Sequence, residues 1–516
     1  MKQESGNIVI SYYLKYLKEK NSTHFISDKT DYDLNVDELF EYFDHTTSRI
    51  GQQYFYAKLR AVNTSNYSPT HEKITQQFTD DSDFATQTEK QLKKLSKQEA
   101  YDILSLITKE LPVTTKLYTF FISILRFVPF LFALLFFTFH WSISLIFLIV
   151  SLVVNLFFHY RNKTVQIPFQ HSMPQLLLLV QCSHELSRNP KFKSISTDIS
   201  KCVNSLLPIS KISNLFKFER ILLSDVSQFS WLTTELLKIS ILSEPHMFHK
   251  AVKLIKGKQH EIEKLYCFVG EIDSLLAISK IRHSEAYCCI PSICETNERF
   301  AFKELYHPLI ESCVSNSLTV QHKSILLTGS NMSGKSTFIR TIGLNVLLAQ
   351  NINTCFARNF SLQQHLVLQS MITVGDDLMN SKSLFFEEVL TVKEMLINCS
   401  NGKNIFLLDE IFKGTNTFER IAAGKAVLTQ LVKNGNIVFV SSHDIELCEL
   451  LEEEYELYHF CEHIQNSEVE FDYLLKQGRL TAFNAIKILK MNGYSDEIIE
   501  EAYETAAKLQ VKTGQN

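Results

Sequence analysis

The stretch that most restricts this chain runs from Ser324 to Gln350, SILLTGSNMSGKSTFIRTIGLNVLLAQ. SILLT is a short apolar strand, the eight residues Gly329-Ser330-Asn331-Met332-Ser333-Gly334-Lys335-Ser336 form a glycine-bracketed polar loop, and STFIRTIGLNVLLAQ reads as a helix. Strand, loop and helix in that order make a phosphate cradle. The glycines let successive backbone N–H groups turn inward around phosphate oxygens. The helix that follows points its positive end at the same oxygens. Lys335 supplies a point charge to the β- and γ-phosphates, and the Ser336 hydroxyl, with Thr337 beside it, is placed to ligate Mg²⁺. ATP and Mg²⁺ are therefore the expected ligands.

A second motif lies some seventy residues on. Ile405 to Leu408 is an apolar strand that ends in Asp409-Glu410, and NIVFVSS is another that leads to His443. Asp409 is expected to hold Mg²⁺ and Glu410 to polarise the attacking water, with His443 as a γ-phosphate sensor. Apolar strands alternating with helices, each strand ending in polar residues, predict a largely parallel sheet. Glycine usage supports a change of architecture along the chain. Only 15 glycines occur, and Gly329, Gly334, Gly343, Gly375, Gly402, Gly414, Gly424 and Gly435 crowd into the back third. The expected fold class is mixed: a mostly α-helical N-terminal core and lever region, then a C-terminal α/β P-loop NTPase domain of the ABC type.

Between these regions the composition shifts abruptly. From Leu117 to Tyr160 the chain reads LYTFFISILRFVPFLFALLFFTFHWSISLIFLIVSLVVNLFFHY, with Arg126 and His140 taken as its strongly polar interruptions. A bilayer core needs about 20 apolar residues per helix. The block has room for two spans, 118–139 and 142–159, joined at His140-Trp141-Ser142, with Lys116, Arg161 and Lys163 on the same side. A helical hairpin buried in protein is the other reading of such a run. The expected organisation is 1–116 helical core, 117–160 membrane hairpin, 161–299 helical core and lever, and 300–516 nucleotide domain with closing helices.

A formal charge of −4 gives no global pull toward nucleic acid, so any such contact must rest on local patches. RNPKFKSISTDISKCV and KAVKLIKGKQHEIEK are locally basic, which suits either phosphate contact or a solvated helix face. The 11 cysteines include no CxxC pair, and the N-terminus MKQESGNIVI lacks the basic-then-apolar design of a secretory signal. Reduced thiols and a cytoplasmic ATPase anchored in the cell membrane by two helices are the expectation.

Taken together, the motifs resemble the MutS mismatch-repair ATPases. The loop with Asn331-Met332 before GKST is similar to the family's phosphate loop, and Asp409-Glu410-Ile411 with Lys413-Gly414-Thr415-Asn416-Thr417 is similar to its DEI-x-[RK]-GT-x-T segment. Gly375-Asp376-Asp377-Leu378 and Ser383-Leu384-Phe385-Phe386-Glu387-Glu388 resemble the family's DDL and STF-x-x-EM loop. Tyr306-His307-Pro308 and the segment FDYLLKQGRLTAFNAIKILKMNGYSDEIIEEA complete a likeness over 300–510, and Asp44, Thr46 and Gly51 extend it to 24–60. The resemblance implies a homodimer in which Ser383 reaches the partner's ATP, and DNA as the polymer gripped. It also implies departures: the family's mismatch-reading and connector domains have no counterpart here. Ser381 and Leu384 replace its glycine and threonine in the trans loop, and no Smr-type nuclease segment follows.

Two functions are compatible with these features. One is an ATP-switched, dimeric DNA-binding protein linked to mismatch repair or DNA maintenance and tethered to a membrane. The other is a membrane-anchored mechanical ATPase or scaffold that no longer binds DNA. Half of a transporter is set aside, since two spans make too small a path and no LSGGQ-type signature precedes Leu408.

Overall fold

The computed structural model describes residues 8–13, 24–62, 67–112, 115–139, 142–166, 169, 172–195, 198–209, 239–294, 298–330, 332–362, 366–373, 384–465, 468–480 and 485–512. It forms two compact units, one of residues 1–21, 44–57 and 68–283, the other of residues 22–43, 58–67 and 284–516.

The first unit is helical. Its longest helix, Gln259–Ser284, is buried over most of its length. On that helix the buried Asp273 accepts hydrogen bonds from Thr47 N at 2.9 Å, Ser48 N at 2.7 Å and Ser48 Oγ at 2.6 Å. It thereby serves the otherwise unpaired N–H groups at the start of the helix Arg49–Arg60. A Cβ on Gly51 would stand 2.0 Å from Asp273 Oδ2, which explains the glycine two residues into that helix. Asp44 Oδ1 caps Thr46, with Thr46 Oγ1 at 2.5 Å.

The apolar block folds as a hairpin of Lys116–Leu125, Val128–Phe139 and Ser142–Gln166. Leu117–Phe139 and Ser142–Lys163 are each long and apolar enough to cross a membrane, and only 11% and 22% of their most apolar windows are buried. A hairpin hidden in protein would show the reverse. The first arm is not one continuous helix, because it breaks at Arg126-Phe127 ahead of Pro129. Proline has no N–H to give the carbonyl four residues back, which is that of Leu125. Asn155 Nδ2 reaches that carbonyl at 3.4 Å and the Ser240 carbonyl at 2.9 Å. Arg126 and His140 are therefore not the run's only polar interruptions, for Asn155 and His159 are both buried within it.

In the second unit, helices α1 (Asp28–Asp33) and α2 (Val36–Phe43) precede the sheets. Strands β1 (Phe300–Leu305) and β2 (Asn316–Val320) pair antiparallel. Then come β3 (Ser324–Thr328), α3 (Lys335–Ile352), β4 (Asn359–Leu362), β5 (Val367–Met371) and α4 (Leu384–Asn398). The chain continues through β6 (Asn404–Asp409), α5 (Thr417–Leu431), β7 (Ile437–Ser441), α6 (Ile445–Leu450) and β8 (Tyr455–His459).

The main sheet runs β5-β6-β7-β3-β8, all parallel, with Lys476–Gln477 added antiparallel at the β8 edge. A smaller sheet joins Ser292–Ile293, β4, β1 and β2. Every residue of β3, β6 and β7 is buried, as expected for parallel strands covered on both faces. Side chains alternate across the sheet. Leu326, Phe406, Leu408, Val438 and Val440 share a core with Val392 and Met395 of α4 and Leu428 and Leu431 of α5. On the other face α3 packs closely enough that a Cβ on Gly343 would lie 2.4 Å from Leu407 Cδ1.

Residues 24–43, read from sequence as the start of the helical core, fold into this α/β unit. Asp33, at the end of α1, accepts from Ser370 Oγ at 2.6 Å, Ile372 N at 3.0 Å and Thr373 N at 2.8 Å, so it caps the end of β5. Arg60, almost fully buried, pairs with Asp31 at 2.8 Å and Asp37 at 2.7 Å.

Candidate nucleotide-binding site

The loop after β3 lies at the carboxyl end of the parallel strands, between the ends of β7 and β8. Gly329 and Gly334 hold φ of +148° and +101°, and Met332, at φ 71°, is 82% exposed. A side chain at Gly329 would collide with the Phe460 carbonyl oxygen at 2.6 Å as well as adopt an unfavourable backbone, so both position and angle require glycine. Ser333 Oγ donates to Ser330 O at 2.8 Å, and Ser330 Oγ to Glu462 Oε2 at 2.7 Å, bracing the loop from inside and outside.

Lys335 opens α3 with its side chain folded back over the loop. Its Nζ donates to Gly329 O at 2.8 Å and Ser330 O at 2.7 Å. Burial pulls its pKa below the usual lysine range, while Asp409, Glu410 and Glu462 oppose that shift. Ser336 Oγ donates to Asp409 Oδ2 at 2.5 Å, and Ser441 Oγ, at the end of β7, donates to Asp409 Oδ1. A hydroxyl and a carboxylate in contact are hard oxygen donors of the type Mg²⁺ takes when water and phosphate complete its shell. Ser336 and Asp409 thus fit the ion. Thr337 lines the same cavity one residue on.

Glu410 follows Asp409 with φ 57°, a left-handed backbone that turns its side chain out of the strand direction. Its Oε1 lies 2.7 Å from His443 Nε2 and its Oε2 lies 3.3 Å from Lys413 Nζ. The hydrogen bond from His443 does most to hold the Glu410 carboxyl down to about 2, and Lys413 adds to it against the effect of burial.

Lys335, Ser336, Asp409, Glu410 and Lys413 border a cavity of about 590 Å³. Leu305, Ile310, Phe338, Phe460 and Tyr473 add apolar and aromatic surface to the same lining. A volume of that size suits a nucleotide-sized ligand.

The structure brings together Gly329, Ser330, Met332, Ser333, Gly334, Lys335, Ser336, Thr337, Asp409, Glu410 and His443. Asn331 and Ser383 lie outside the described residues, as do Gly375 to Leu378. Sequence reading missed several supporting groups. Tyr473 stands over the loop, 3.1 Å from where a Cβ on Gly334 would be. Glu388 is buried and accepts from Lys413 N at 3.3 Å. Arg420 grips Asp444 at 2.9 and 2.6 Å, tying α5 to the residue after His443. Of these, Glu388, Lys413 and Tyr473 fell inside quoted motifs, but none of them was assigned a role at the loop.

A parallel sheet with a glycine-bracketed phosphate loop at its carboxyl edge, and acidic residues ending a nearby strand, defines a P-loop nucleotide-binding domain. Residues 325–510 match the family model described as MutS domain V. Among similar proteins, a DNA mismatch repair protein MutS of Aquifex pyrophilus is 24% identical over 65% of this chain and 42% of its own length. That of Petrotoga mobilis is 28% identical over 63% of this chain and 41% of its own length. MutS protein homolog 4 of Mus musculus is 27% identical over 56% of this chain and 31% of its own length. The chain is MutS-like, and it spans less than half the length of these relatives.

Proposed function

We propose that this chain binds and hydrolyses ATP at the β3–α3 loop and works as a MutS-type dimer on DNA, in mismatch repair or DNA maintenance, held at a membrane by its apolar hairpin. The observation that carries the ATPase reading is the Ser336–Asp409 hydrogen bond, which joins the phosphate loop to the strand end bearing Glu410.

On this reading the loop amides and Lys335 take the β- and γ-phosphates, and the apolar lining of the cavity takes the base. Ser336 and Asp409 would hold Mg²⁺, which when bound neutralises charge on the phosphate oxygens. Glu410, ionised at neutral pH, orients a water and accepts its proton at a carboxylate oxygen. His443 and Lys413 fix the Glu410 rotamer and leave the acid partner Asp409 to its own hydrogen bonds. Little covalent work falls to the protein in phosphoryl transfer, so positioning is the main contribution.

Dimerisation is supported by the family resemblance and by two large exposed apolar side chains, Met332 of the loop (82% exposed) and Phe418 (88% exposed). Phe418 lies at the first turn of α5, just after the Lys413–Thr417 segment. Light scattering of the Glu410→Gln chain tests this: ATP should convert monomer to dimer, and a strictly monomeric mass at saturating ATP rejects it.

The hairpin supports a second reading, a membrane-anchored mechanical ATPase whose clamp does not hold DNA. Gel shifts with duplex and branched DNA over a salt series separate the two, since backbone binding must weaken as salt rises. Carbonate extraction tests the anchor, because release of the protein into the soluble fraction ends that part of the proposal.

A further inference from the structure

The helix Ser243–Ile255 runs alongside the base of the hairpin, and three contacts set its direction. Asn155 Nδ2 reaches the Ser240 carbonyl at 2.9 Å, level with Leu125. One turn on, Ser123 Oγ meets His246 Nδ1 at 3.5 Å. Further still, His249 Nε2 meets Asn162 Oδ1 at 3.0 Å, and Asn162 Nδ2 donates to the Tyr118 hydroxyl at 2.9 Å. The helix therefore descends from about a third of the way along the hairpin toward its two ends. Lys250, Lys253 and Lys256, all exposed, fall at and beyond the level of Tyr118 and Asn162, on the side of Arg161 and Lys163.

The apolar surface shows where a membrane boundary would fall. Leu117, Phe120, Phe121 and Ile124 are 80%, 65%, 46% and 48% exposed, and Phe157 and Tyr160 are 61% and 54% exposed. The apolar face thus continues down to the hairpin's ends, and does not stop at Arg126. From Tyr118 to Phe139 the arm covers about 33 Å at 1.5 Å per residue, close to the roughly 30 Å of a hydrocarbon core. With the boundary there, residues from Ser240 to His249 enter the near leaflet by about 10 Å, and Asn155 meets a backbone carbonyl that lipid could not. The three lysines then lie in the headgroup layer.

We infer that Lys250, Lys253 and Lys256, with Arg161 and Lys163, form a binding surface for anionic phospholipid headgroups, and that Ser243–Ile255 is the third element of the membrane unit. This rests on the anchored reading of the hairpin. Basic residues next to a spanning segment attract an anionic leaflet by roughly fivefold each at low salt, and salt screens the attraction.

The test uses the full chain reconstituted in phosphatidylcholine vesicles that carry trace spin-labelled phosphatidylglycerol or spin-labelled phosphatidylcholine. The motionally restricted fraction should be severalfold larger for phosphatidylglycerol, and the ratio should fall toward one in high salt. Lys250→Gln/Lys253→Gln/Lys256→Gln should lower the ratio clearly, with Arg161 and Lys163 sustaining what remains, while the chain stays in the vesicles. Equal restriction of both lipids by the parent, or an unchanged ratio in the triple variant, overturns the inference and leaves the anchor standing. If the parent does not enter vesicles of either composition, the anchor falls and this inference with it. If the triple variant loses duplex DNA binding and keeps its lipid ratio, the lysines serve nucleic acid and the inference is rejected.

Discussion

His443 Nε2 and Glu410 Oε1 meet at 2.7 Å, across the ends of two neighbouring strands, and this contact does most to set the acidity of the proposed base. Glu410 is held down to about 2, below its unperturbed 4.5. Its carboxylate should therefore not protonate as pH falls from 7 to 5, and ATP turnover should show no acid limb from this group in that range. His443→Ala should move the limb up toward 4.5 and lower turnover; a pH–rate profile of both chains reads this directly. The same pair contributes stability that is full above about pH 4.5 and lost as pH falls toward 2.

Lys335→Ala should abolish measurable ATP binding in a fluorescence titration, because it removes the only cation that is bonded to the loop carbonyls among the described residues. Glu410→Gln should bind ATP with near-parental affinity and lose turnover by about 10²- to 10⁴-fold. Parental turnover in Glu410→Gln would transfer the base role elsewhere.

Asp273 gives a stability signature of opposite sign. Burial pushes its carboxyl from 3.8 up to about 6, even though Ser48 and Thr47 donate to it. A raised acid favours the folded chain most below about pH 4 and loses that contribution as pH rises through 6, on the order of 3 kcal/mol in total. Denaturant midpoints of the detergent-solubilised chain should fall over that window, and Asp273→Asn should flatten the slope.

Gly51→Ala should destabilise the first unit by at least about 2 kcal/mol, since its Cβ meets Asp273 at 2.0 Å. A thermal melt would show it, and an unchanged midpoint would mean that the helix Gln259–Ser284 can shift freely.

Asn155→Leu should lower the thermal midpoint of the detergent-solubilised chain, because the Leu125 and Ser240 carbonyls lose their shared donor. The expected loss is about 0.6 to 2 kcal/mol, in line with buried polar contacts between membrane helices.

The strand–loop–helix of Ser324 to Ile352 and the strands ending at Asp409 and Ser441 were legible in the chain because each is a short continuous apolar run closed by polar residues. The hairpin was legible for the same reason, and its break at Arg126 follows from Pro129. Other features depend on contacts between distant residues, which no local pattern carries. Asp33 lies in a short polar stretch with no motif of its own, yet its carboxylate is spent on the end of β5, more than three hundred residues away. Tyr473 reaches the loop from the segment between Phe471 and Lys476, and Glu388 of α4 supports the turn at Lys413. His443 follows an apolar strand that was plain in the chain, but its bond to Glu410 depends on β6 and β7 being neighbours in register.

Lys335 commits two of its three ammonium protons to carbonyls of its own loop. Ordering that long, flexible arm is consequently a cost of folding rather than of ligand capture. Nucleotides that differ only in phosphate count should then differ in affinity mainly through enthalpy, with the loop itself acting as a mould set before its contents arrive.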